Sequence, residues 1–185
     1  MLQTLYHMNR PGSFYGKTTH WLLILCIGFV ASHCKSPKKA EPPAPKTTNS
    51  RETTFRRDIV AYAGKYKGSK YTPAGKKPDT GFDCSGFTSY VMDHFNISLS
   101  PAAREQVKQG KNKRIQDAKP GDLIFFRRGP DEPIFHVSLV KSNNGKNLVV
   151  IHSTTSRGVV EEDVLNSTYW KQYIDSVRDV VSGSK

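Results

Sequence analysis

Residues 83–87 read Asp83-Cys84-Ser85-Gly86-Phe87. Aspartate is a favoured N-cap residue, and Phe87, Val91 and Phe95 then recur at every fourth position, which predicts a helix with one buried stripe. Cys84 would lie in the first turn, where free backbone N–H groups and the helix dipole stabilise an anion. We therefore expect a thiol with a lowered pKa, suited to act as a nucleophile. The alternative is a small buried apolar residue, the usual role of a free cysteine.

The N-terminal segment has the features of an export signal. The first 20 residues carry two basic side chains and no acid, and residues 21–31 form an apolar run that is short for a membrane span. Small residues and then Cys34 follow, an order that resembles the lipobox of bacterial lipoproteins, although His33 departs from it. We predict a signal peptide at residues 1–33 and a lipid on Cys34. Plain cleavage near Ala31 and an uncleaved anchor are the alternatives.

Export and lipidation bear on the role of Cys84. With one cysteine in the signal and Cys34 lipidated, Cys84 would be the single free thiol in an oxidising compartment, where cysteines are usually paired or avoided. This favours a chemical role for Cys84. The next segment, residues 34–52, contains four prolines and no apolar periodicity, which predicts a disordered tether.

The net charge of +12 constrains the partners of the 185-residue chain. A basic protein is attracted to nucleic acid, to anionic lipid or to acidic polymers. Export argues against nucleic acid as a partner and favours the bacterial cell wall, whose stem peptides carry carboxylates. Many exported proteins are simply basic, so charge alone does not decide between these partners.

The folded domain is predicted at residues 53–182, with helices first and strands after them. A first helix would begin at a cap on Thr53 or Thr54, and a short third helix would run from Ser100 to Gly110. Strands are predicted at residues 123–126, 136–140 and 148–152, the last two joined by a turn at residues 143–145, with further strands near 159–160 and 174–181. This order predicts an α+β domain with an antiparallel sheet.

Three histidines of the domain are candidates for the base that a cysteine nucleophile needs. His94 lies ten residues beyond Cys84 on the predicted helix, several turns away, and is excluded. His136 begins one predicted strand and His152 ends the next, so an antiparallel hairpin would bring the two imidazoles together. A zinc site made of Cys84 and the two histidines is the alternative, but no two of these residues have the close spacing typical of zinc ligands.

These residues resemble the NlpC-type cell-wall cysteine peptidases over roughly residues 55–181. The matching motifs are, in order, Tyr71, Asp83-Cys84-Ser85-Gly86-Phe87, Glu105-Gln106, Lys119-Pro120-Gly121-Asp122-Leu123-Ile124-Phe125-Phe126, His136-Val137, Ile151-His152-Ser153 and Gly158-Val159. The resemblance implies a minimal papain-like fold, in which the nucleophile helix and its N-terminal neighbours pack on an antiparallel sheet. It also implies Cys84 as nucleophile, His136 as its base and His152 as the group that orients His136.

The resemblance also implies supporting residues and no metal or cofactor. Tyr71 matches a family tyrosine that donates a hydrogen bond near the nucleophile. Backbone N–H groups at the start of the helix, including that of Cys84 or Ser85, would hold the oxyanion. Two departures stand out. Pro101-Ala102 stands where members often carry an Arg-Ser pair that shapes the substrate cleft, and Ser138 replaces the glycine that usually follows His-Val, which changes the local fit of the strand.

We therefore expect a monomeric, lipid-anchored periplasmic enzyme of the outer membrane that hydrolyses stem-peptide or cross-link bonds of peptidoglycan through a thiolate–imidazolium pair. Lysines, and no acidic residues, follow Cys34 directly, which favours the periplasmic face. A non-catalytic peptidoglycan-binding lipoprotein, and an amidase or acyltransferase on the same fold, are the alternatives. Both the D-Glu–diaminopimelate bond and the D-Ala–diaminopimelate cross-link are candidate targets.

Overall fold

A computed structural model describes residues 48–183, which form three α-helices and eight β-strands. The helices are α1 (Thr48–Gly64), α2 (Cys84–Asp93) and α3 (Ala103–Gln106). The strands are β1 (Lys76–Lys77), β2 (Gly81–Phe82), β3 (Lys111–Lys113), β4 (Leu123–Arg127), β5 (Ile134–Asn143), β6 (Leu148–Thr154), β7 (Gly158–Asp163) and β8 (Ile174–Asp179). The helices precede the main sheet, and the predicted α+β class is confirmed.

The main sheet has the strand order β3-β8-β4-β5-β6-β7, and every neighbouring pair is antiparallel. Strands β5 and β6 are joined by the predicted turn, in which Gly145 adopts a positive φ of 81°. The hairpin brings the first half of β5 beside the last half of β6. Strands β1 and β2 form a separate two-stranded ribbon just before α2.

The sheet is buried on both faces, which explains the continuous apolar run of β4. Leu123 and Phe125 point into one core, and Ile124 and Phe126 point into another, because successive side chains of a strand alternate. The first core also holds the apolar stripes of α1 and α2. The second core is closed by the segment after β7, including Trp170.

The start of α2 is fixed by its cap and by a close backbone contact. The Asp83 carboxylate accepts a hydrogen bond of 2.6 Å from the backbone N–H of Gly86, as the sequence predicts for an N-cap. Gly86 must be a glycine here, because a Cβ at this position would lie 2.0 Å from the carbonyl oxygen of Gly75. That carbonyl also accepts the N–H of Asp83 at 3.0 Å. Both contacts hold the first turn of α2 in one place.

The buried side chain of Gln106 on α3 holds the other side of α2. Its amide nitrogen donates to the carbonyl oxygens of Ser85 and Ser100, at 3.1 and 2.8 Å, and to the Ser89 hydroxyl at 2.9 Å. Its amide oxygen accepts from the Thr88 hydroxyl at 2.9 Å. Because buried polar atoms are costly to leave unpaired, this network fixes α2 and α3 relative to each other.

Arg56 of α1 lies at the centre of a buried ion-pair network. Its guanidinium is 2.8 Å from an Asp122 oxygen and 2.7 Å from an Asp179 oxygen, and its Nε donates to Glu52 at 2.8 Å. Lys113 adds a second cation 2.6 Å from Asp122. Burial raises the pKa of Asp122, whereas hydrogen bonds from Ser182 and Arg56 outweigh burial at Asp179 and lower its pKa.

Several predicted boundaries differ from those observed. Helix α1 begins at Thr48, before the predicted caps at Thr53 and Thr54. The predicted helix from Ser100 is reduced to Ala103–Gln106, since the backbone N–H and carbonyl of Ser100 bond to glutamine side chains instead of a helical turn. The short strands β1, β2 and β3 carry no alternating apolar pattern and were not predicted.

Candidate active site

A cleft of about 590 Å³ lies at the start of α2 and brings together residues that are far apart in the sequence. Its walls include Tyr71, Cys84, Arg128, Phe135, His136, Ser153, Arg157, Glu162, Tyr169 and Trp170. Cys84 is the first residue of α2 and is partly exposed. The predicted nucleophile, its predicted base and the predicted tyrosine therefore face one common space.

The environment of the Cys84 sulfur does not support a resting thiolate. Burial raises the pKa of the thiol from 9.0 to about 11, and the negative charge of Asp83 acts in the same direction. The backbone N–H groups of Val137, Ser85 and Cys84 itself favour the thiolate but do not outweigh burial. The expected lowering of this pKa is therefore wrong for the resting protein. Desolvation of the charged form exceeds the effect of the helix start.

The imidazoles of His136 and His152 are neighbours, as the hairpin geometry predicts. Nε2 of His136 lies 3.0 Å from Nδ1 of His152. The Ser138 hydroxyl lies 3.0 Å from the same Nδ1 and so replaces the expected glycine with a polar contact. Because Nε2 of His136 faces His152, its Nδ1 is the ring nitrogen left to serve the thiol. The catalytic roles of Cys84, His136 and His152 remain predictions.

Both histidines are neutral at neutral pH. Burial lowers the pKa of His136 well below 6.5, and the nearby His152 lowers it further. Burial also lowers the pKa of His152 to about 4. The Glu162 carboxylate acts to raise this pKa, and the positive charge of Arg157 acts to lower it. These shifts favour a protonated thiol facing a neutral imidazole over the expected thiolate–imidazolium pair.

Tyr71 and Ser85 contact the surroundings of the nucleophile in different ways. Burial raises the pKa of the Tyr71 phenol, and charges on Cys84 and Asp83 raise it further. The phenol therefore keeps its proton and can donate a hydrogen bond into the cleft. The Ser85 hydroxyl donates to the Asp83 carboxylate at 3.2 Å, so Ser85 acts on the sulfur through its backbone N–H and not through its hydroxyl. Their proposed supporting roles are untested predictions.

The aromatic residues that line the cleft beside His136 were not predicted from the sequence. Trp170 stacks on His136 with ring centroids 4.5 Å apart, and Phe135 stacks on Trp170. The Arg128 guanidinium lies 4.3 Å over the ring of Phe135 at the rim. Trp170 follows β7 in a segment without periodicity, so no local pattern indicated that it would cover His136. The adjacent Tyr169 also lines the cleft and is exposed over about half of its surface.

His94, excluded by its position on the helix, lies at the far end of α2. Its ring stacks on Tyr62 with centroids 3.8 Å apart, and it is not among the residues that line the cleft. Within residues 48–183, no group of three or more His, Cys, Asp or Glu side chains is arranged to hold a metal ion.

Other predictions concern the N-terminal part of the chain. The signal peptide at residues 1–33 and the lipidated Cys34 lie outside the described residues, as does most of the tether at 34–52. Among the helices of residues 48–183, none is both long and apolar enough to cross a bilayer.

Known proteins of one family match this chain. The profile of the NlpC/P60 family matches residues 68–179, which contain every residue of the candidate site. A probable endopeptidase NlpC of Escherichia coli is 31% identical over 157 residues, covering 81% of this chain and 92% of the relative. The murein DD-endopeptidase MepS/murein LD-carboxypeptidase of Escherichia coli is 32% identical over 120 residues, covering 64% of this chain and 60% of the relative.

Solved structures match the same region. An NlpC/P60 family protein from Bacillus cereus superposes with a TM-score of 0.61 at 26% identity, covering 68% of this chain and 40% of that one. The NlpC/p60 domain of the peptidoglycan hydrolase SagA gives a TM-score of 0.55 at 31% identity, covering 67% of this chain and 97% of that one. The family match, the relatives and the shared fold together show that the chain belongs to the NlpC/P60 family.

Proposed function

We propose that this protein is a cysteine endopeptidase that hydrolyses stem-peptide or cross-link bonds of bacterial peptidoglycan. One observation carries the proposal: a cysteine at a helix start shares a cleft with an imidazole whose other nitrogen lies 3.0 Å from a second imidazole. Hydrolysis by a thiol requires a nucleophile, a base and a group that orients the base, and Cys84, His136 and His152 would fill these roles in that order. Relatives named as endopeptidases, one of them a murein endopeptidase, supply the substrate class.

In the proposed reaction, Nδ1 of His136 removes the thiol proton as the Cys84 sulfur attacks the carbonyl carbon of the peptide bond. The transfer accompanies the attack because the resting thiol and imidazole are both neutral. The carbonyl oxygen becomes negative and is stabilised by backbone N–H groups at the start of α2 and by the Tyr71 hydroxyl. Trp170 covers one face of the His136 ring and restricts its rotation.

The second half of the reaction returns the enzyme to its starting state. The tetrahedral intermediate collapses to a thioester, and the His136 imidazolium gives its proton to the leaving amine. His136 then takes a proton from water as the water oxygen attacks the thioester carbonyl. The thiolate leaves and regains a proton from His136, and the product carboxylic acid is released. His152 holds the ring of His136 in one orientation through both halves.

The test is mass spectrometry of muropeptides released from purified sacculi by the full-length protein in detergent. New fragments are expected with the wild type and not with Cys84→Ala or His136→Asn, and their masses identify the bond that is cut. His94→Asn is the matched control, because it changes a histidine outside the cleft and should retain activity. Sacculi that bind the protein but release no fragments would instead favour the non-catalytic binding role.

We also propose that residues 1–33 direct export and that Cys34 carries a lipid holding the enzyme at the periplasmic face of the outer membrane. The support is the apolar run at residues 21–31, followed by small residues and a cysteine. Cells grown with a tagged fatty acid should label the wild type but not Cys34→Ala. Equal labelling of both proteins would refute the lipid site.

A further inference from the structure

One nitrogen of the His136–His152 pair lacks an aligned partner. Nε2 of His152 is buried and makes no hydrogen bond of good geometry, although the Glu162 carboxylate oxygen Oε2 lies 3.4 Å away. His152 pairs with Val160 across strands β6 and β7, so Glu162, two residues further on, projects on the same side as His152. The carboxylate is thus the group that β7 presents to this nitrogen.

The tautomers of the two histidines are linked through their shared contact. To accept a proton at Nδ1, a neutral His136 must carry its own proton on Nε2. That N–H then donates to Nδ1 of His152, at 3.0 Å, so His152 must carry its proton on Nε2. The opposite arrangement, with the His152 proton on Nδ1, would leave His136 protonated on the nitrogen that the thiol needs.

We propose that Glu162 is a positioning residue that selects the reactive tautomer of His136 by accepting the Nε2 proton of His152. A carboxylate only accepts hydrogen bonds, so it favours the form of His152 that carries the proton on Nε2. This inference rests on the proposed function of His136 as the base. Glu162 acts through His152 and does not contact the substrate bond.

Other contacts hold the Glu162 carboxylate charged and in place. Arg157, in the turn between β6 and β7, pairs with Oε2, and the Ser167 hydroxyl donates to Oε1 at 3.2 Å. These contacts outweigh burial and lower the pKa of Glu162. The charged and titratable groups that face His152 are therefore His136 from β5, Glu162 from β7 and Arg157 from the turn.

Glu161, the residue next to Glu162 on β7, provides a matched control. Glu161 lies on the same strand but projects to the other side, where it pairs with Lys67 at 3.1 Å and Lys141 at 2.6 Å. A substitution at Glu161 removes the same charge from the same strand without touching His152. An effect that appears at Glu162 and not at Glu161 therefore comes from the contact with the histidine.

The conservative variant separates the hydrogen bond from the charge. In Glu162→Gln, Arg157 should draw the amide oxygen into the position of Oε2, where it still accepts from His152. We expect this variant to keep the wild-type tautomers and to fold, because it retains the shape of the side chain. Glu162→Ala removes the acceptor altogether.

The experiment is long-range ¹H–¹⁵N NMR of the imidazole rings in full-length protein labelled at histidine, with assignments from His136→Asn and His152→Asn. The wild type, Glu161→Ala and Glu162→Gln should show both rings protonated on Nε2. Glu162→Ala should populate the other tautomer and lose about 10- to 100-fold in kcat on sacculi, the range for one hydrogen bond to a charged group. Unchanged tautomers in Glu162→Ala would overturn the proposal.

The two readouts keep this proposal separate from the proposed function. The NMR spectra report tautomers in the absence of substrate. A wild type that is inert on sacculi would refute the endopeptidase role, while the tautomer comparison would still decide whether Glu162 sets the protonation of the pair. Loss of kcat in Glu161→Ala equal to that in Glu162→Ala would also overturn the proposal, since the effect would then follow strand charge.

Discussion

Lowering the pH from 7.5 to 5 should reduce the free energy of unfolding, because the buried histidine pair resists protonation. An ordinary histidine takes up a proton near pH 6.5, whereas burial lowers the pKa of His152 to about 4. Between these values the unfolded chain binds a proton that the folded protein does not, so stability falls as the pH drops below 6.5. His136, with a pKa well below 6.5, adds to the fall.

The size of the effect follows from the pKa of His152. From pH 6.5 to pH 5, proton binding at this residue stabilises the unfolded state by about 1.4 kcal/mol per pH unit. Over this range the free energy of unfolding therefore falls by about 2 kcal/mol. Carboxylates with lowered pKa values, such as Glu161 and Glu162, lose their stabilising contribution only below their ordinary value of 4.5. Above pH 5 these carboxylates therefore contribute little to the fall, and the comparison of the wild type with a His152 variant separates the histidine from Asp122, whose pKa burial raises.

Urea unfolding of the wild type and His152→Asn at several pH values measures this effect. Between pH 7.5 and 5, the free energy of unfolding of the variant should fall by about 2 kcal/mol less than that of the wild type, because asparagine has no proton to take up. Each protein is compared with itself at the two pH values, so the effect of the substitution on stability at a single pH cancels. His94→Asn is the control that should keep the His152-dependent part of the fall. Equal pH dependence in the wild type and His152→Asn would refute the reasoning.

The remaining predictions concern the thiol, the buried arginine and the helix start. Iodoacetamide should modify Cys84 at a rate that rises through pH 9–11, because burial raises the pKa of the thiol to about 11. Peptide mass spectrometry measures this rate. A rate that is already constant near pH 6 would instead show a thiolate–imidazolium pair at rest. Arg56→Met should cost about 3–5 kcal/mol in urea unfolding, since it leaves two buried aspartates without their arginine; a loss below about 1 kcal/mol would contradict this. Gly86→Ala should abolish hydrolysis of sacculi, because its Cβ would meet the Gly75 carbonyl and displace the start of α2. Gly64→Ala, where a Cβ meets nothing within 4 Å, should keep wild-type activity, and equal activity of the two variants would show that the close contact is unimportant.

Local signals in the sequence were sufficient for the elements that position the site. The cap at Asp83 and the apolar runs of strands β5 and β6 depend on neighbouring residues, and both predict the observed elements. The convergence of His136 and His152 follows from hairpin pairing alone. These features are short-range or depend on one turn, so a single sequence carries them.

The properties that depend on distant contacts were missed. The pKa of the Cys84 thiol is set by how deeply the folded chain buries it, and the helix start alone predicts the wrong direction. Trp170 and Glu162 reach the histidines from a loop and from the edge strand β7, and neither belongs to a recognisable motif. The start of α1 was placed too late because its first residues are polar and lack an apolar stripe.

The Arg56 network also determines where the domain would bear mechanical tension. A pull on the chain entering α1 passes from the helix into the guanidinium, which bonds to the Pro120 carbonyl ahead of β4 and to Asp179 and Ser182 at the end of β8. The load is thus shared between the first helix and the last strand, at charged contacts shielded from water. Helix α2 meets α1 through ring contacts of Phe55 and Tyr62 with Phe95 and His94, which lie beyond the end of α2 that is away from Cys84. Tension that enters from the N-terminal side would thus be borne at the Arg56 contacts before it reaches α2 and the cleft.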